Sequence, residues 1–499
     1  MWLRRRSTFS TLAVVYFAIH PPGLPRQHTW GVFSFCRMRI NLPPPSMNTI
    51  IALATPPGEG AIGVIRLSGP DAITVADQAF YGKDLTQASG HTVHFGTLRT
   101  AAGEVLDEVL LTLFRGPRSY TGEDVVEISC HGSPYILQQV IARFVEEGVQ
   151  LAKPGEFTMR AFLNGRMDLS QAEAVADLIA SESEAAHRVA MQQMRGGFSD
   201  EIKALRQELI DFAALVELEL DFGEEDVEFA DRDDLKALIL KIQRTLHQLM
   251  DSFRLGNVLK RGVPTSIAGR PNSGKSTLLN ALLNEERAIV SDIPGTTRDT
   301  IEAALVIRGV QFRMVDTAGI RDTTDQIEAI GVERALQSVA DAAVVIYLFD
   351  AARLSPTEVQ QDLARLHREG LQLLVVANKI DLLDDAAHDD WQRHFPNLQL
   401  LSATERLHMD ALRDTLYEIA TGGLLQSEHT VVTSARHHDA LRRADESLAM
   451  ALANMSAGVT SDFVAMDIRQ ALYALGEVTG EVSVDDLLGS IFGRFCIGK

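Results

Sequence analysis

The chain has 499 residues, 46% hydrophobic and 23% charged, which predicts a globular protein of two to four domains. Its 47 Lys and Arg against 67 Asp and Glu give a net charge of −20, which excludes nucleic-acid binding mainly through the overall field but leaves room for a local basic patch. No apolar run approaches the roughly 18 residues that cross a bilayer, which excludes an integral membrane protein. The three cysteines, Cys36, Cys130 and Cys496, are far apart, which excludes a disulfide scaffold and a cysteine-based zinc finger.

Residues 1–46 differ sharply in composition from the rest of the chain. They contain six arginines and no acidic residue, so they carry a charge of +6. Because the net charge of the whole chain is −20, the remaining residues carry about −26. One interpretation is a start codon assigned too early, because Met47 opens a strand-like run. An organellar transit peptide and a secretory signal peptide are the alternatives, the latter without an A-x-A-like cleavage site. No fold is predicted for this extension.

Short β-rich runs alternate with helical stretches from residue 47 to 164, which predicts a compact α+β domain. One string in it, Gly58-Glu-Gly60-Ala-Ile-Gly63, matches the dinucleotide pattern G-x-G-x-x-G. That site requires a helix starting at the third glycine. Here Gly63 is followed by the β-branched run Val-Ile-Arg-Leu, so a Gly-rich turn or binding loop is the favoured interpretation.

The remaining chain is predicted as a helical domain interrupted by an α/β domain. Residues 165–260 are helical in pattern, and the acid-rich stretch 215–234 within them is interpreted as a solvated connector. A metal loop is the alternative, but its 12-residue spacing with a glycine at the sixth position is missing. Apolar strands alternate with helices over 261–422, and 423–499 is helical again. Helices on both sides of the α/β unit indicate that it is inserted into one helical domain.

The string Gly269-Arg-Pro-Asn-Ser-Gly274-Lys275-Ser276 fits the phosphate-loop pattern. It follows the strand-like run 263–268 and opens a helical run, which is the context this motif requires. The glycines let backbone N–H groups approach phosphates, Lys275 is predicted to neutralise the β- and γ-phosphate oxygens, and the Ser276 hydroxyl is predicted to bind Mg²⁺. Alone, this string is moderate support for a nucleotide site.

Three further motifs follow in the order of a guanine-nucleotide site. Gly295-Thr296-Thr297-Arg298-Asp299 holds threonines that can reach Mg²⁺, and Asp316-Thr-Ala-Gly319 follows a strand-like run. Asn378-Lys379-Ile380-Asp381 ends another strand, and the Asp381 carboxylate can accept two hydrogen bonds from the N1–H and N2–H₂ edge of guanine. Ser402-Ala403 is predicted to close over the base. Together the four motifs predict a GTPase domain.

The predicted catalysis is atypical. In small GTPases a glutamine that orients the attacking water usually follows the glycine of Asp-x-x-Gly. Ile320 occupies this position and has no hydrogen-bonding group. Arg321 and Glu328 are the nearby candidates for orienting water, with a solvent-facing helix residue as the alternative for either.

From Met47 to Lys499 the chain resembles the tRNA uridine-modification GTPases of the MnmE (TrmE) family. Besides the nucleotide motifs, the strings that carry this resemblance are Ala54-Thr-Pro-Pro-Gly58, Tyr120-Thr-Gly-Glu-Asp124, Pro154-Gly-Glu-Phe-Thr158, Arg160-Ala-Phe-Leu-Asn164, Asp168-Leu-Ser-Gln-Ala-Glu-Ala174 and Phe495-Cys-Ile-Gly-Lys499. The resemblance implies a multidomain protein with an N-terminal α+β folate-binding and dimerisation domain (47–164), a helical domain (165–260 and 423–499) and an inserted P-loop α/β, Ras-like GTPase domain (261–422).

The resemblance also implies a reaction and its partners. With an FAD-dependent partner protein (MnmG/GidA), such proteins install an aminomethyl or carboxymethylaminomethyl group at C5 of the wobble uridine, position 34, of certain tRNAs. The implied one-carbon donor is 5-formyltetrahydrofolate or a related tetrahydrofolate, and the implied assemblies are a homodimer and a heterotetramer with the partner. The implied folate contacts are Arg66, Glu127, Arg166 and Lys499. The family usually has Lys where this chain has Arg166, which keeps the charge but changes the donor geometry.

For the GTPase domain the resemblance implies K⁺-dependent hydrolysis on dimerisation of the two GTPase domains. The implied K⁺ ligands are Asn272, Ser291, the Ile293 carbonyl and Thr296, and Mg²⁺ falls to Ser276 and Thr297. The catalytic acid falls on Glu328, and Cys496 is a candidate near the folate and uridine chemistry, with an inert thiol as the alternative. The expected GTP contacts are Asn272, Ser273, Gly274, Lys275, Ser276, Thr277, Ser291, Asp292, Ile293, Pro294, Gly295, Thr296, Thr297, Asp316, Thr317, Ala318, Gly319, Asn378, Lys379, Asp381, Ser402, Ala403 and Thr404.

Two other functions remain open at this point. A ribosome-assembly factor of the Era or Der type shares the GTPase motifs but lacks the other strings. A regulatory switch whose N-terminal domain only binds a small ligand is the second alternative. The acidic net charge argues against a broad RNA-binding surface in either case. The expected location is the cytoplasm, or mitochondria if residues 1–46 are a transit peptide, and no membrane association is expected.

Overall fold

The computed structural model describes most of the chain as two compact units. One unit comprises the chain up to Arg166 together with the residues from Gly480 onward, and the other comprises Met167–Thr479. The described residues are 15–17, 31–33, 48–221, 232–285, 303–314, 342–366, 368, 371–421, 431–482, 485–493 and 495–498. Two short strands near the start, β1 (Val15–Phe17) and β2 (Gly31–Phe33), pair antiparallel.

The first unit is built on one sheet, which among the described residues has seven strands in the order β5-β6-β7-β8-β4-β3-β9. The strands are β3 (Ile50–Leu53), β4 (Gly60–Ser68), β5 (Phe80–Tyr81), β6 (Thr92–Arg99), β7 (Val105–Phe114), β8 (Val125–Gly132) and β9 (Gln150–Leu151). The helices are α1 (Ala72–Ala79), α2 (Pro134–Glu146) and α3 (Glu156–Leu163). The sheet and helices confirm the predicted mixture of α and β elements.

One face of this sheet is buried, and the other is open over β6 and β7. On β7, Val109, Leu111 and Leu113 are buried in a core that also contains residues of α1 and α2. The alternate residues point to the opposite face because side chains alternate along a strand. Leu110 on β7 and Phe95 on β6, which are register partners, are both exposed. The open face therefore carries apolar side chains that nothing in the described chain covers.

The Gly-rich string of residues 58–63 leads into a strand. Gly60 and Gly63 both lie in β4, which pairs with β8 and contains a register shift between Gly60 and Ile62. A dinucleotide site would need a helix at this point. The structure therefore excludes the dinucleotide motif, as the sequence indicated.

A buried arginine connects α3 to the loop before β8. Arg160 is fully buried, and its guanidinium donates to Glu156 Oε1 at 2.9 Å and to Glu123 Oε2 at 3.1 Å. It also donates to the carbonyl of Asn48 at 3.0 Å, at the start of the described part of this unit. Each carboxylate depends on this one guanidinium for its charge partner, so we expect the cluster to be important for stability.

Replacing Arg160 with alanine should lower the free energy of unfolding of the first unit by about 3 to 5 kcal/mol, because two largely buried carboxylates lose their partner. Hydrogen exchange of the β7 and β8 amides would measure this loss. Arg118→Ala, at an exposed position in the same unit, should change the same amides by less than about 0.5 kcal/mol. Equal protection in the two variants would contradict the assignment.

The second unit contains a second sheet, ordered β11-β12-β10-β13-β14-β15 among the described residues. Its strands are β10 (Val263–Ala268), β11 (Ala303–Ile307), β12 (Val310–Met314), β13 (Val344–Asp350), β14 (Gln372–Asn378) and β15 (Gln399–Leu400). Every described pairing in it is parallel except that of β11 with β12. All seven residues of β13 are buried, as expected for a parallel strand covered on both faces. The predicted α/β domain is confirmed.

One group of helices belongs to the α/β part, and a second group forms a core of its own. The helices of the α/β part are α8 (Lys275–Glu285), α9 (Pro356–Leu366), α10 (Asp385–His394) and α11 (Met409–Thr421). The other helices of the unit are α4 (Leu169–Ile179), α5 (Glu184–Met194), α6 (Gly197–Asp221), α7 (Arg232–Arg261), α12 (Ala435–Ser456) and α13 (Ser461–Thr479). No helix among the described residues is both long and apolar enough to cross a bilayer.

The helical core brings together residues from both sides of the α/β insertion. Leu205 and Leu209 of α6 and Ile239 of α7 share one buried cluster with Leu448 of α12 and Ile468 of α13. The predicted helical periodicity of α6 is therefore confirmed in its first half. Of the acid-rich stretch, α6 includes 215–221 and α7 includes 232–234, while residues 222–231 lie outside the described residues.

The last described segment belongs to the first unit. Helix α14 (Asp485–Phe492) and the residues after it group with the N-terminal sheet, whereas the sequence analysis placed 423–499 in the helical domain. The reason is apolar burial: the Phe492 ring lies 6.4 Å from the Phe162 ring and 5.7 Å from the Phe495 ring, centroid to centroid. Helical periodicity alone does not show which core such residues join. Helix α14 thus packs on the first unit, and the predicted extent of the helical domain stays a prediction.

Candidate functional site

The phosphate loop joins β10 to α8, in the context that the sequence predicted. Helix α8 begins at Lys275, and the loop before it contains two glycines that no other residue could replace. A Cβ on Gly269 would lie 2.1 Å from the Leu348 carbonyl oxygen, and one on Gly274 would lie 2.3 Å from Asn378 Nδ2. Both glycines also have positive φ, +156° and +98°. The loop backbone is thus held against the ends of β13 and β14.

The inside of this loop is suited to an anion. Lys275 Nζ donates to the carbonyls of Gly269 at 2.9 Å and Arg270 at 3.1 Å, and burial lowers the pKa of its ammonium group. The hydroxyl of Ser273 is buried and has no hydrogen-bond partner among the described residues. These groups lie at the N-terminus of α8, where free N–H groups and the helix dipole favour negative charge. The residues present therefore fit a phosphate chain.

Asn378 connects the phosphate loop to the loop that follows β15. Its Nδ2 donates to the Ser273 carbonyl at 2.8 Å, and its Oδ1 accepts from the Ala403 N–H at 3.0 Å. Ser402 and Ala403 are buried, while Thr404 is exposed. The structure thus brings together three of the predicted motifs, although they are far apart along the chain.

Lys379 and Asp381, which follow Asn378, differ in their surroundings. Lys379 has a positive φ of +64°, and its Nζ donates to the Asn272 carbonyl at 3.1 Å and to Asp350 Oδ2 at 2.7 Å. Asp381 lies in a 3₁₀ turn, Ile380–Leu382, and is exposed. Its carboxylate accepts no hydrogen bond from any described residue, so it is available to a base bound at this edge of the sheet.

The structure reveals an anchor for the phosphate loop that the sequence analysis missed. Arg270 Nε donates to Asp362 Oδ2 at 2.8 Å, and its Nη1 donates to Glu358 Oε1 at 2.9 Å, both on α9. The Tyr347 hydroxyl donates to Asp362 Oδ2 at 2.7 Å. The Ser355 amide and hydroxyl, together with Arg270, lower the pKa of Glu358 to about 2. No spacing rule could have paired these residues, because Arg270 and Asp362 are 92 positions apart.

Part of the predicted nucleotide and metal site cannot be compared with the structure. Of the predicted metal ligands, Asn272 and Ser276 lie in the described phosphate loop, where the Asn272 side chain is exposed. In the described ranges there is no group of three or more His, Cys, Asp or Glu that could hold a metal ion. The predicted residues outside the described ranges are Ser291, Asp292, Ile293, Pro294, Gly295, Thr296, Thr297, Asp316, Thr317, Ala318, Gly319, Glu328 and Lys499.

The first unit brings two of the predicted folate contacts together. Arg66 on β4 and Glu127 on β8 are register partners, and Arg66 donates from Nε and Nη2 to Glu127 Oε1 at 2.9 and 2.7 Å. The Arg66 guanidinium carbon lies 5.5 Å from the centre of the Tyr120 ring and 5.7 Å from that of the Phe157 ring. Burial raises the pKa of the Tyr120 hydroxyl. The result is a charged pair beside two aromatic rings.

The C-terminal tail reaches the same cluster. Arg66 Nη1 donates to the Gly498 carbonyl at 3.3 Å, which places the residue before Lys499 at this pair. Gly498 itself lies against β3, since a Cβ on it would come within 2.2 Å of the Leu53 carbonyl oxygen. Cys496 is a free, exposed cysteine whose carbonyl accepts from the Gly155 N–H at 3.5 Å. This backbone contact with Arg66 was not predicted from the sequence.

Arg166, the third described folate candidate, lies beside the loop that contains Gly122. Its side chain is exposed, and its Cγ would lie 3.3 Å from a Cβ on Gly122, which has a positive φ of +81°. Gly122 is two residues from Tyr120, so Arg166 borders the loop that carries this ring. No described hydrogen bond connects Arg166 with Arg66 or Glu127.

Comparisons with known proteins identify the family of the chain. A family model described as "MnmE helical domain" matches residues 169–496, and one described as "GTP-binding protein TrmE N-terminus" matches residues 49–166. A protein of Cytophaga hutchinsonii named "tRNA modification GTPase MnmE" is 53% identical over 452 residues, covering 91% of this chain and 98% of that protein. The protein of the same name from Flavobacterium psychrophilum is 51% identical over 459 residues, covering 91% and 99%.

A solved structure of Aquifex aeolicus Era bound to GDP·AlF₄⁻ matches with 26% identity over 37% of this chain and 66% of that chain, at a TM-score of 0.25. This TM-score is too low to relate the two folds. The two family models together cover nearly all of the chain after residue 48, and the named relatives match over almost their whole length. The chain belongs to the MnmE (TrmE) family, whose relatives named here are tRNA modification GTPases.

Proposed function

We propose that the protein is a GTP-hydrolysing enzyme of tRNA modification. With an FAD-dependent partner, it adds an aminomethyl or carboxymethylaminomethyl group to C5 of the wobble uridine, using a tetrahydrofolate one-carbon donor. The observation that carries this proposal is that one chain combines an ordered phosphate loop, tied by Asn378 to the base-binding loop, with the Arg66–Glu127 pair at the C-terminal tail. Family membership supports the combination.

In the GTPase site each described residue has a defined task. Lys275 neutralises the phosphate oxygens, the N–H groups at the start of α8 bind them, and Asp381 accepts from the guanine edge. Ser276 and Thr297 would hold Mg²⁺, which would neutralise charge on the β- and γ-phosphates. Asn272, Ser291, the Ile293 carbonyl and Thr296 would hold K⁺, and Glu328 would orient water. Family resemblance supports these assignments, together with activation by dimerisation of the GTPase domains.

The cluster around Arg66 suits a flat heteroaromatic ligand that carries both donors and acceptors. Tyr120 and Phe157 supply ring faces, Arg66 supplies donors, and Glu127 supplies acceptors. A reduced pterin presents these complementary groups, and the folate would supply the one-carbon unit. We therefore propose 5-formyltetrahydrofolate or a related tetrahydrofolate as the ligand, with Lys499 and Arg166 as further cationic contacts. A chemical role for Cys496 remains part of the proposal, on the ground of its exposed position in the tail.

The open face of the N-terminal sheet supports the proposed homodimer. Val93 and Phe95 on β6, Leu110 on β7 and Ile62 on β4 are exposed to between 48% and 68%. Contiguous apolar surface of this kind marks interaction sites, and a second copy of the chain offers the same apolar surface. A heterotetramer with the flavoprotein partner, tRNA as substrate and a cytoplasmic location complete the proposal.

Nucleoside mass spectrometry of tRNA tests the proposed function. Cells that lack the protein should lose the C5-modified wobble uridine, and re-expression of the full chain should restore it. The Lys275→Ala variant should fail to restore it, because the phosphate loop loses its cation. Re-expression of residues 47–499 tests whether the extension is needed. Unchanged modification in the deleted cells would overturn the tRNA assignment.

A further inference from the structure

The hairpin of β11 and β12 contacts the start of helix α5 through its turn. The Ala185 N–H donates to the Gly309 carbonyl at 3.2 Å, and Gln311 Nε2 donates to Glu182 Oε2 at 2.8 Å. The first N–H groups of a helix have no partner within the helix. The hairpin turn therefore satisfies a donor at the start of α5 that would otherwise need water.

The geometry of the turn makes this contact specific. Gly309 has a positive φ of +81°, and a Cβ on it would already lie 3.5 Å from the Glu184 Cβ. On the other side of the turn, Arg308 forms an ion pair with Asp414 of α11 and lies 5.4 Å from the centre of the Tyr417 ring. The turn is thus held between α5 and α11. A movement of the turn therefore changes its contacts with both helices.

Apolar packing continues the contact into the core. Ala185 and Val189 of α5 belong to the same buried cluster as Ile307 of β11 and as Val310 and Phe312 of β12. Interiors are close-packed, so a displacement of the hairpin either carries α5 along or opens a cavity between them. Helix α5 therefore responds to the position of the hairpin.

The position of the hairpin in the chain connects it to the nucleotide. Strand β11 begins at Ala303, soon after the segment that contains Thr297, and β12 ends at Met314, shortly before Asp316. In GTPases the two segments that contact Mg²⁺ and the γ-phosphate change state when the γ-phosphate is lost. The hairpin is the described element that lies between these two segments in the chain.

The C-terminal end of α5 contacts helix α4. Gln171 Nε2 on α4 donates to the Met194 carbonyl at the end of α5, at 3.2 Å. Helix α4 begins at Leu169, three residues after Arg166 in the chain. Helix α5 therefore connects the hairpin with α4 within the second unit.

We propose that Glu182 and Gln311 are positioning residues that couple the nucleotide state to tRNA modification, by holding the hairpin turn against α5. This proposal rests on the proposed function. Among the described residues, Glu182 and Gln311 bond to each other and to no residue of the predicted nucleotide or folate sites, so we expect GTP hydrolysis to continue without them. Their hydrogen bond transmits the change in the GTPase domain to the helical domain.

The test compares single variants at this contact with a matched hydrogen bond elsewhere. Glu182→Ala and Gln311→Ala remove the contact, and Glu182→Gln keeps an acceptor oxygen for Gln311. Gln243→Ala is the control, because Gln243 also donates to a carboxylate, Asp445 Oδ1, at 2.9 Å, but within the helical core. Two rates are measured for each full-length variant: GTP hydrolysis by the purified protein and the appearance of C5-modified uridine in new tRNA after induction.

We expect GTP hydrolysis within about twofold of wild type in all variants, and a loss of about tenfold in modification rate for Glu182→Ala and Gln311→Ala, a typical coupling effect. Combining the two changes should add no further loss, since both remove one hydrogen bond. Glu182→Gln should recover most of the rate, and Gln243→Ala should lose little.

Three results would overturn the proposal: modification at the wild-type rate in both alanine variants, a parallel loss of GTP hydrolysis, or an equal loss in Gln243→Ala. Failure of the proposed function looks different, because the wild-type chain itself would then give no modified uridine.

Discussion

Replacing Asp381 with asparagine should change the base preference of the GTPase site from guanine to xanthine. Guanine offers two donors, N1–H and N2–H₂, and the exposed Asp381 carboxylate offers two acceptors. Xanthine has a carbonyl in place of the 2-amino group, so its edge offers one donor, N1–H, and one acceptor. The asparagine amide offers the matching acceptor oxygen and NH₂ donor. Since a site built to bond a polar edge rejects the mismatched one by roughly 10⁴-fold, kcat/KM for GTP should fall by about that factor.

Steady-state hydrolysis of GTP and of xanthosine triphosphate by the purified variant would measure this change, with recovery expected for the second nucleotide. Asp384→Asn is a matched control close by in the chain. Asp384 is an exposed N-cap of α10, accepting from the Ala387 N–H at 2.9 Å, and asparagine caps a helix equally well. The control should keep its GTP preference. If Asp381→Asn also kept it, the base would have to be recognised by another residue.

Replacing Arg66 with alanine should weaken tetrahydrofolate binding by about 30-fold or more, the effect of truncating one partner of a hydrogen-bonded charge pair, about 2 kcal/mol. Arg66 supplies donors to the site, holds Glu127 in place and contacts the Gly498 carbonyl. Its removal therefore takes away a ligand contact and releases both the carboxylate and the tail. Titration calorimetry with 5-formyltetrahydrofolate would measure the loss.

Two variants show whether such a loss reflects Arg66 itself. Arg66→Lys keeps the charge but not the planar fork of donors, so it should restore binding only in part. Arg99→Ala removes another arginine stacked on an aromatic ring in the same sheet, its guanidinium carbon 3.9 Å from the centre of the Tyr81 ring. Folate affinity should be unchanged in that control. Wild-type affinity in Arg66→Ala would remove this cluster from the folate proposal.

The order of domains was largely predictable, but the packing of the C-terminal tail was not. Strand runs followed by phosphate-loop and strand-end motifs identify an α/β domain from local patterns, and helices on both sides show where it is inserted. Helix α14 has a helical pattern like that of α12 and α13, yet Phe492 and Phe495 are buried in the first unit. Periodicity shows that a residue is buried and leaves open which core buries it.

The sequence by itself determined the nucleotide chemistry, because Gly269, Gly274 and Lys275 act within one short loop, and Asn378 and Asp381 act at the end of one strand. Short spacings of this kind fix the geometry locally. Only the tertiary structure decided what holds these groups in place: Arg270 reaches Asp362 from 92 positions away, and Arg66 reaches the Gly498 carbonyl from 432 positions away. A side-chain pair at such separation has no period and no spacing rule, since its distance depends on how whole elements pack. The contact of Gln311 with Glu182 is of the same kind, and for this reason it became visible only in the folded chain.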